Sequence, residues 1–305
     1  MRQRHMAIAS ALTCAALGTG VAFAGSSQLS SQPTSTTGTL FGATIVSSAD
    51  WSLKNSQFGV MPIYRVYYSG LPDVDAWSGS LPGSGTSAVI VSFEAQPTTI
   101  LSGVDDVALS QFFSGAPSAE PIYYSYDPEP EAGIAAGQFT AAEYRAAWGH
   151  VVSLADRVGN AALHATLILN AYSLTASSHR NWLDYFPGDG IISTLGWDDY
   201  PAGGVGLPDP SYLAKAVATS KSAGLPFGFA EFGTVTVDGR GPWLTAMGRY
   251  IRNSGAVFGS LYDSPVNGQG GSGTFAVDDP ASLTAWRAVV QGSGTAGVAT
   301  PSASP

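Results

Sequence analysis

The 305-residue chain holds a single cysteine, Cys14, near its start. The remainder can form neither a disulfide nor a thiolate metal site, so its stability must come from a hydrophobic core. Charge is also scarce, at 11% of residues, and it is mostly negative, with 22 acidic against 13 basic residues. An acidic chain with few lysines lacks the electrostatic footprint of a nucleic-acid or anionic-membrane binder, and a neutral partner fits better. No internal repeat is evident, which argues against a solenoid or propeller. No Gly-x-Ser-x-Gly sits between a strand and a helix, and the glycine-rich run at 268–273 lacks a phosphate-loop context.

Met6 to Val21 forms one long apolar run. Arg2 and Arg4 precede it, and Ala22-Phe23-Ala24 ahead of Gly25 offers small residues for cleavage, so residues 1–24 read as a signal peptide and the protein as secreted. Thr13, Gly18, Thr19 and Gly20 make the run a poor membrane span. Cleavage would remove two bases and no acid, taking the net charge from −9 to −11. Residues 25–39 read as a flexible polar leader and 292–305 as a similar tail. Between them, residues 40–291 form one domain of a length that suits a (β/α)8 TIM barrel, an α/β fold.

What is plentiful is apolar and aromatic: 45% hydrophobic residues, with Phe, Trp and Tyr at 11%. Short β-branched or aromatic runs recur at 40–45, 62–68, 88–93, 122–126, 164–170, 191–197, 226–231 and 256–262. Eight nearly continuous apolar runs are what a parallel barrel covered on its outer face requires. Helices separate the later ones. Thr140 and Glu143 form a capping box before the apolar face of Tyr144, Trp148, Val151, Val152, Ala155 and Val158. Asp209-Pro210 opens a second helix, Pro242 a third that Gly255 ends, and Ala281 to Val290 supplies a last. The first three units carry weaker helical signals, and residues 69–86 read as a long loop.

Two runs end in acids. Ile122 to Tyr126 leads into Asp127-Pro128-Glu129-Pro130-Glu131, and Pro226 to Ala230 leads into Glu231. Strand-terminal acids are most often solvated or helix-capping, yet a pair of glutamates is also the simplest equipment for cleaving a glycosidic bond. Glu129 and Glu231 are 102 residues apart, or 34 for each of three units, against roughly 31 for eight units in about 250 residues. That spacing places them after strands four and seven, and parallel strands end on one face, where both carboxylates would meet.

Glu129-Pro130-Glu131 is followed by Ile134, Gly137, Phe139-Thr140 and Tyr144-Arg145-Ala146-Ala147-Trp148. Further along come Trp182, Asp184 to Gly188, Leu195 to Tyr200, Gly228 to Gly233, Tyr262-Asp263-Ser264 and Ala285-Trp286-Arg287. In order and spacing, over roughly residues 40–290, these resemble secreted glycoside hydrolases of family 26, of an actinobacterial type. The best-known members are β-mannanases in the clan of retaining (β/α)8 glycosidases. The resemblance implies that Glu129 is the general acid/base and Glu231 the nucleophile of a double displacement on a β-linked polysaccharide such as mannan, with no cofactor. The family usually has a histidine before its acid/base, and here that residue is Pro128. A non-hydrolytic sugar-binding barrel and a β-glucanase or xylanase of the same fold are the alternatives. A shifted alignment would put Asp127 in the acid/base place.

Trp197, Asp198 and Tyr200 at the end of strand six, with Tyr262 and Asp263 after strand eight, are the expected substrate-binding residues, though Trp197 suits a core place as well. His150 and His164 read as structural, His179 and Arg180 as substrate-facing or solvated, and no metal site is expected. A Ca²⁺ loop at Asp127, Glu129 and Glu131 would be awkward between two prolines. A monomer with a polysaccharide or oligosaccharide as partner is the expected state.

Overall fold

The computed structural model describes residues 38–200, 210–265 and 273–294. The signal segment 1–24, most of the leader, the Asp209 cap, most of the glycine-rich run and the tail from residue 295 lie outside the described residues. Eight parallel strands close in sequence order: β1 Leu40–Thr44, β2 Ile63–Tyr68, β3 Ala88–Phe93, β4 Ile122–Tyr126, β5 Leu163–Asn170, β6 Thr194–Asp199, β7 Phe227–Phe232 and β8 Phe258–Leu261. This is the expected (β/α)8 barrel. Helices are α1 Ser48–Phe58, α2 Pro97–Ser102, α3 Asp106–Gly115, α4 Glu131–Ala135, α5 Ala141–Asp156, α6 Pro210–Ala223, α7 Arg240–Ser254 and α8 Pro280–Gln291. None among the described residues is long and apolar enough to cross a membrane.

Alternation along the strands divides the core in two. Leu40, Ile63, Ile90, Tyr123, Ile168, Ala230 and Phe258 fill the barrel interior, while a larger cluster lies between the strands and the helices. The interior tolerates large rings only because glycines face them. A Cβ on Gly228 would lie 2.3 Å from the Phe258 ring, and one on Gly196 would lie 2.6 Å from Ile168.

The Thr140 capping box forms as expected, with Thr140 Oγ1 accepting from Glu143 N at 3.1 Å and Glu143 Oε2 accepting from Thr140 N at 2.8 Å. The weakly signalled helix α1 has a physical cause. Its inward positions include Trp51, Phe58 and Lys54, and the lysine stands where an apolar stripe would continue. Lys54 is 4% exposed, and its Nζ donates to the carbonyls of Thr44 and Asp263 at 2.5 Å each. Strand β6 begins at Thr194 rather than Ile191, because pairing with β5 runs from Thr166↔Thr194 to Asn170↔Asp198. Asp198 and Asp199 therefore belong to the strand and not to the loop after it.

Candidate active site

Glu129 is carried on a strained turn. Asp127 and Glu129 take left-handed backbone conformations, with φ of 44° and 53°, and each precedes a proline. Non-glycine residues there cost roughly 1–3 kcal/mol each, so the surroundings must hold them. Asp127 N donates to Phe93 O at 2.8 Å, Glu129 N to Ile168 O at 3.0 Å, and Tyr144 OH to Asp127 O at 3.2 Å. Glu131 acts as the anchor. It is buried, and its Oε1 accepts from Asn170 N at 3.0 Å and from Ser173 Oγ at 2.8 Å, which ties the turn to the end of β5.

The Glu129 side chain is half-buried and accepts a hydrogen bond from Asn170 Nδ2 at 2.8 Å. Burial, with Asp198 and Glu131 adding repulsion, pushes its pKa up to about 8, against the opposing pull of Asn170 and Arg65. Asp127 is raised to about 7, by burial and then by Glu94, and so answers to a different neighbour. Glu129 is therefore the acid that shares its field with the barrel mouth. Asp127, Glu129 and Glu131 diverge, and among the described residues no three His, Cys, Asp or Glu side chains gather as a metal cage.

A β-bulge brings Glu231 to the same mouth. Trp197 pairs with Phe229 but Asp198 with Glu231, and on the other side Phe229 pairs with Gly259 but Phe232 with Leu261, so β7 carries one extra residue. Regular alternation would give Glu231 the outward side of Phe229 and Phe227; the extra residue lets it follow Ala230 inward, while Phe232 rejoins the outer cluster. Glu231 is 9% exposed. Its Oε2 accepts from Tyr200 OH at 2.6 Å, and its Oε1 lies 3.7 Å from Arg65 Nη1. Burial raises its pKa and Arg65 opposes the rise.

Arg65 links the two halves. Its guanidinium is 1% exposed, bonds Asp198 Oδ1 at 2.8 Å and lies 4.4 Å from the centre of the Tyr67 ring. Burial raises the pKa of Asp198, and Arg65 and the backbone amide of Glu231 act against the rise. Asp198 is thus a buried brace, 1% exposed, between Arg65 and the bulge. Neither Arg65 nor Asn170 was among the residues expected from sequence. Arg65 was legible in principle, as a charge in an apolar strand two residues after the inward Ile63.

Of the expected residues, Glu129, Glu231, Asp198, Tyr200 and Tyr262 lie at the carboxyl ends of the strands, where Glu129 and Glu231 both feel the charge of Arg65. Tyr200, Tyr262 and Phe275 form an aromatic triad with ring centres 5.2–5.9 Å apart. Two do not join them. Trp197 points outward, fully buried, with Nε1 donating to Ser220 Oγ on α6 at 2.9 Å, because it precedes the bulge and shares the outward side of Leu195. Asp263 is committed to structure, its Oδ1 accepting from Val277 N at 2.8 Å and its Oδ2 lying 3.7 Å from Lys54. His164 stacks on Tyr123 at the opposite end, its pKa lowered to about 4 by burial, and His150 pairs with Asp106 at 2.6 Å.

Fold and site together define a (β/α)8 barrel with a carboxylate cluster at the carboxyl ends of its strands, the face where such barrels keep their active sites. Solved structures of this shape include a family 26 β-mannanase from Bacteroides ovatus, at 12% identity and a TM-score of 0.57, covering 87% of this chain and 91% of that one. An endo-β-1,4-glucanase from Xanthomonas axonopodis pv. citri matches at 12% identity and a TM-score of 0.60, over 83% and 99%. A family 128 endo-β-1,3-glucanase from Amycolatopsis mediterranei matches at 12% identity and 0.52, over 83% and 100%. At such identity the likeness is one of fold. No protein-family model matches the chain, and comparison with curated proteins finds no match.

Proposed function

We propose that the protein is a secreted, retaining glycoside hydrolase acting on a β-linked polysaccharide, with residues 40–291 as its catalytic domain. The observation that carries this is a pair of glutamates that share the field of Arg65 but differ in their hydrogen-bond partners. Glu129 is pushed up to about 8 and so arrives protonated at neutral pH; burial raises Glu231 as well, but Arg65 opposes that rise and the Tyr200 hydroxyl donates to its Oε2, and both favour its charged form. Such a division suits an acid and a nucleophile.

In the first step Glu129 gives its proton to the glycosidic oxygen as the bond to C1 breaks, and a Glu231 carboxylate oxygen bonds C1. The leaving sugar departs as an alcohol, and the glycosyl ester neutralises Glu231. In the second step the Glu129 carboxylate takes a proton from water as the water oxygen bonds C1, which releases Glu231 as a carboxylate and restores Glu129 as the acid. Asn170 holds Glu129 in place through both steps, and Tyr200 releases and regains its bond to Glu231 Oε2 as that oxygen gains and loses the sugar. Tyr67, 37% exposed on β2, and Tyr262 offer ring faces at the mouth for pyranose stacking.

Mannan is the preferred substrate class, on the strength of the family 26 motif order together with the barrel shared with a β-mannanase. The test is hydrolysis of β-mannan, β-glucan and xylan by the monomeric secreted chain beside its Glu129→Ala and Glu231→Ala variants, with product anomers followed by NMR. Cleavage with retained β-configuration, lost in both variants, is expected. Binding of a glycan without cleavage would favour the non-hydrolytic barrel and single out Pro128, which replaces the family histidine.

A further inference from the structure

A cleft of about 340 Å³ opens beside the mouth, between the loop after β5 and helix α6, lined by Ser173, Arg180, Asn181, Trp182, Lys215 and Thr219 among others. That volume falls within the range of roughly 300–1,000 Å³ of small-ligand sites. Its charge is opposite to that of the chain, which has 22 acidic residues against 13 basic ones. Arg180 makes one side-chain hydrogen bond, from Nη1 to Ser173 Oγ at 3.4 Å, and among the described residues neither Arg180 nor Lys215 is ion-paired. Arg180, whose charge also acts on the buried Glu131 behind Ser173, and the exposed Lys215 flank a half-buried indole.

The wall is held in place. Ser178 Oγ donates to Ser173 O and Thr175 O, Asn181 Oδ1 accepts from Leu183 N, Trp182 packs on Phe186 with centres 5.3 Å apart, and Arg145 bonds the Asp184 carbonyl. The cleft wall is tied to the turn that carries Glu129, since Ser173 bonds Glu131, two residues from it. An indole beside two cations and an amide matches a sugar ring that carries a carboxylate.

We infer that this cleft is a subsite for a uronic-acid unit, carried as a side group on the glycan whose main chain lies across the mouth. The inference rests on the hydrolase reading for its link to the main chain, and on the cleft alone for the acidic sugar. D-glucuronate, D-glucose, acetate and sulfate should be titrated by isothermal titration calorimetry into the full chain, its Glu231→Gln form and the surface variants Arg180→Gln, Lys215→Gln and Trp182→Ala. Saturable binding of glucuronate over glucose is expected. Each cation variant should weaken it about tenfold or more, and added NaCl should weaken it as well. Trp182→Ala should weaken glucuronate but leave sulfate unaffected, and Glu231→Gln should change neither.

Absence of glucuronate binding, or binding insensitive to Arg180→Gln and Lys215→Gln, would overturn the proposal. Acetate and sulfate binding as well as glucuronate, with Trp182→Ala silent, would overturn it in favour of a bare anion site. No hydrolysis of any glycan by the parent chain, with its glucuronate binding intact, would remove the hydrolase reading and leave the acidic-sugar subsite standing.

Discussion

Replacing Glu129 by glutamine should stabilise the fold in alkali while abolishing hydrolysis. Glutamine is close in shape and can still accept the Asn170 bond, now 2.8 Å to Glu129 Oε1, but it cannot ionise. The wild-type carboxyl is raised from 4.5 to about 8 by burial and by Asp198 and Glu131. A folded pKa above the unfolded one means that the unfolded chain releases this proton first. Stability from this group is therefore fully present below about pH 4.5 and is lost progressively until about pH 8. At roughly 1.4 kcal/mol per pH unit the upper bound is about 4–5 kcal/mol. Glu129 is only half-buried and solvent at the mouth screens part of the repulsion, so about 1–2 kcal/mol is expected. Thermal melts should then show the glutamine variant about 2–6 °C above the parent at pH 9. At pH 4 the two should nearly coincide. An equal gap at both pH values, or a parent more stable than the variant at pH 9, would refute the argument that burial and repulsion hold this proton.

Activity against pH should fall on the alkaline side as Glu129 loses its proton, with an apparent midpoint near 8, and the limb should vanish for substrates whose leaving group needs no protonation. Tyr200→Phe removes the 2.6 Å bond to Glu231 and should raise the pKa of that carboxylate, moving the acidic limb of the kcat/KM profile upward and lowering the maximum about tenfold or more. Arg65→Met leaves Asp198 and Glu231 buried without their cation, and urea unfolding near neutral pH should report a loss of about 3–5 kcal/mol. Trp197→Phe should cost about 1–3 kcal/mol through the lost Ser220 bond and reduced packing while leaving KM unchanged, because the indole faces α6 and not the mouth.

Much of the barrel was legible from local pattern. Strand β4 falls on residues 122–126 as expected, β3 on 88–93, and the capping box and Gly255 mark the ends of α5 and α7. Apolar runs, caps and glycine stops are local signals, and parallel strands must end on one face, so the placing of Glu129 and Glu231 at the carboxyl ends of β4 and β7 could be anticipated. Helix α1 was obscured because its inward Lys54 breaks the periodic stripe, and β6 was displaced because interstrand pairing, not the apolar run 191–197, sets where it begins.

Hydrophobic periodicity and chain direction suffice for the count of eight strands, their order and the pair of strand-terminal glutamates. Which side chains share the mouth was decided only by the tertiary structure. One extra residue in β7 turns Glu231 inward, and strand parity sends Trp197 out to Ser220 and Arg65 in to Asp198. A side chain's face depends on its register against neighbouring strands far away in sequence, and a single-residue slip reverses it.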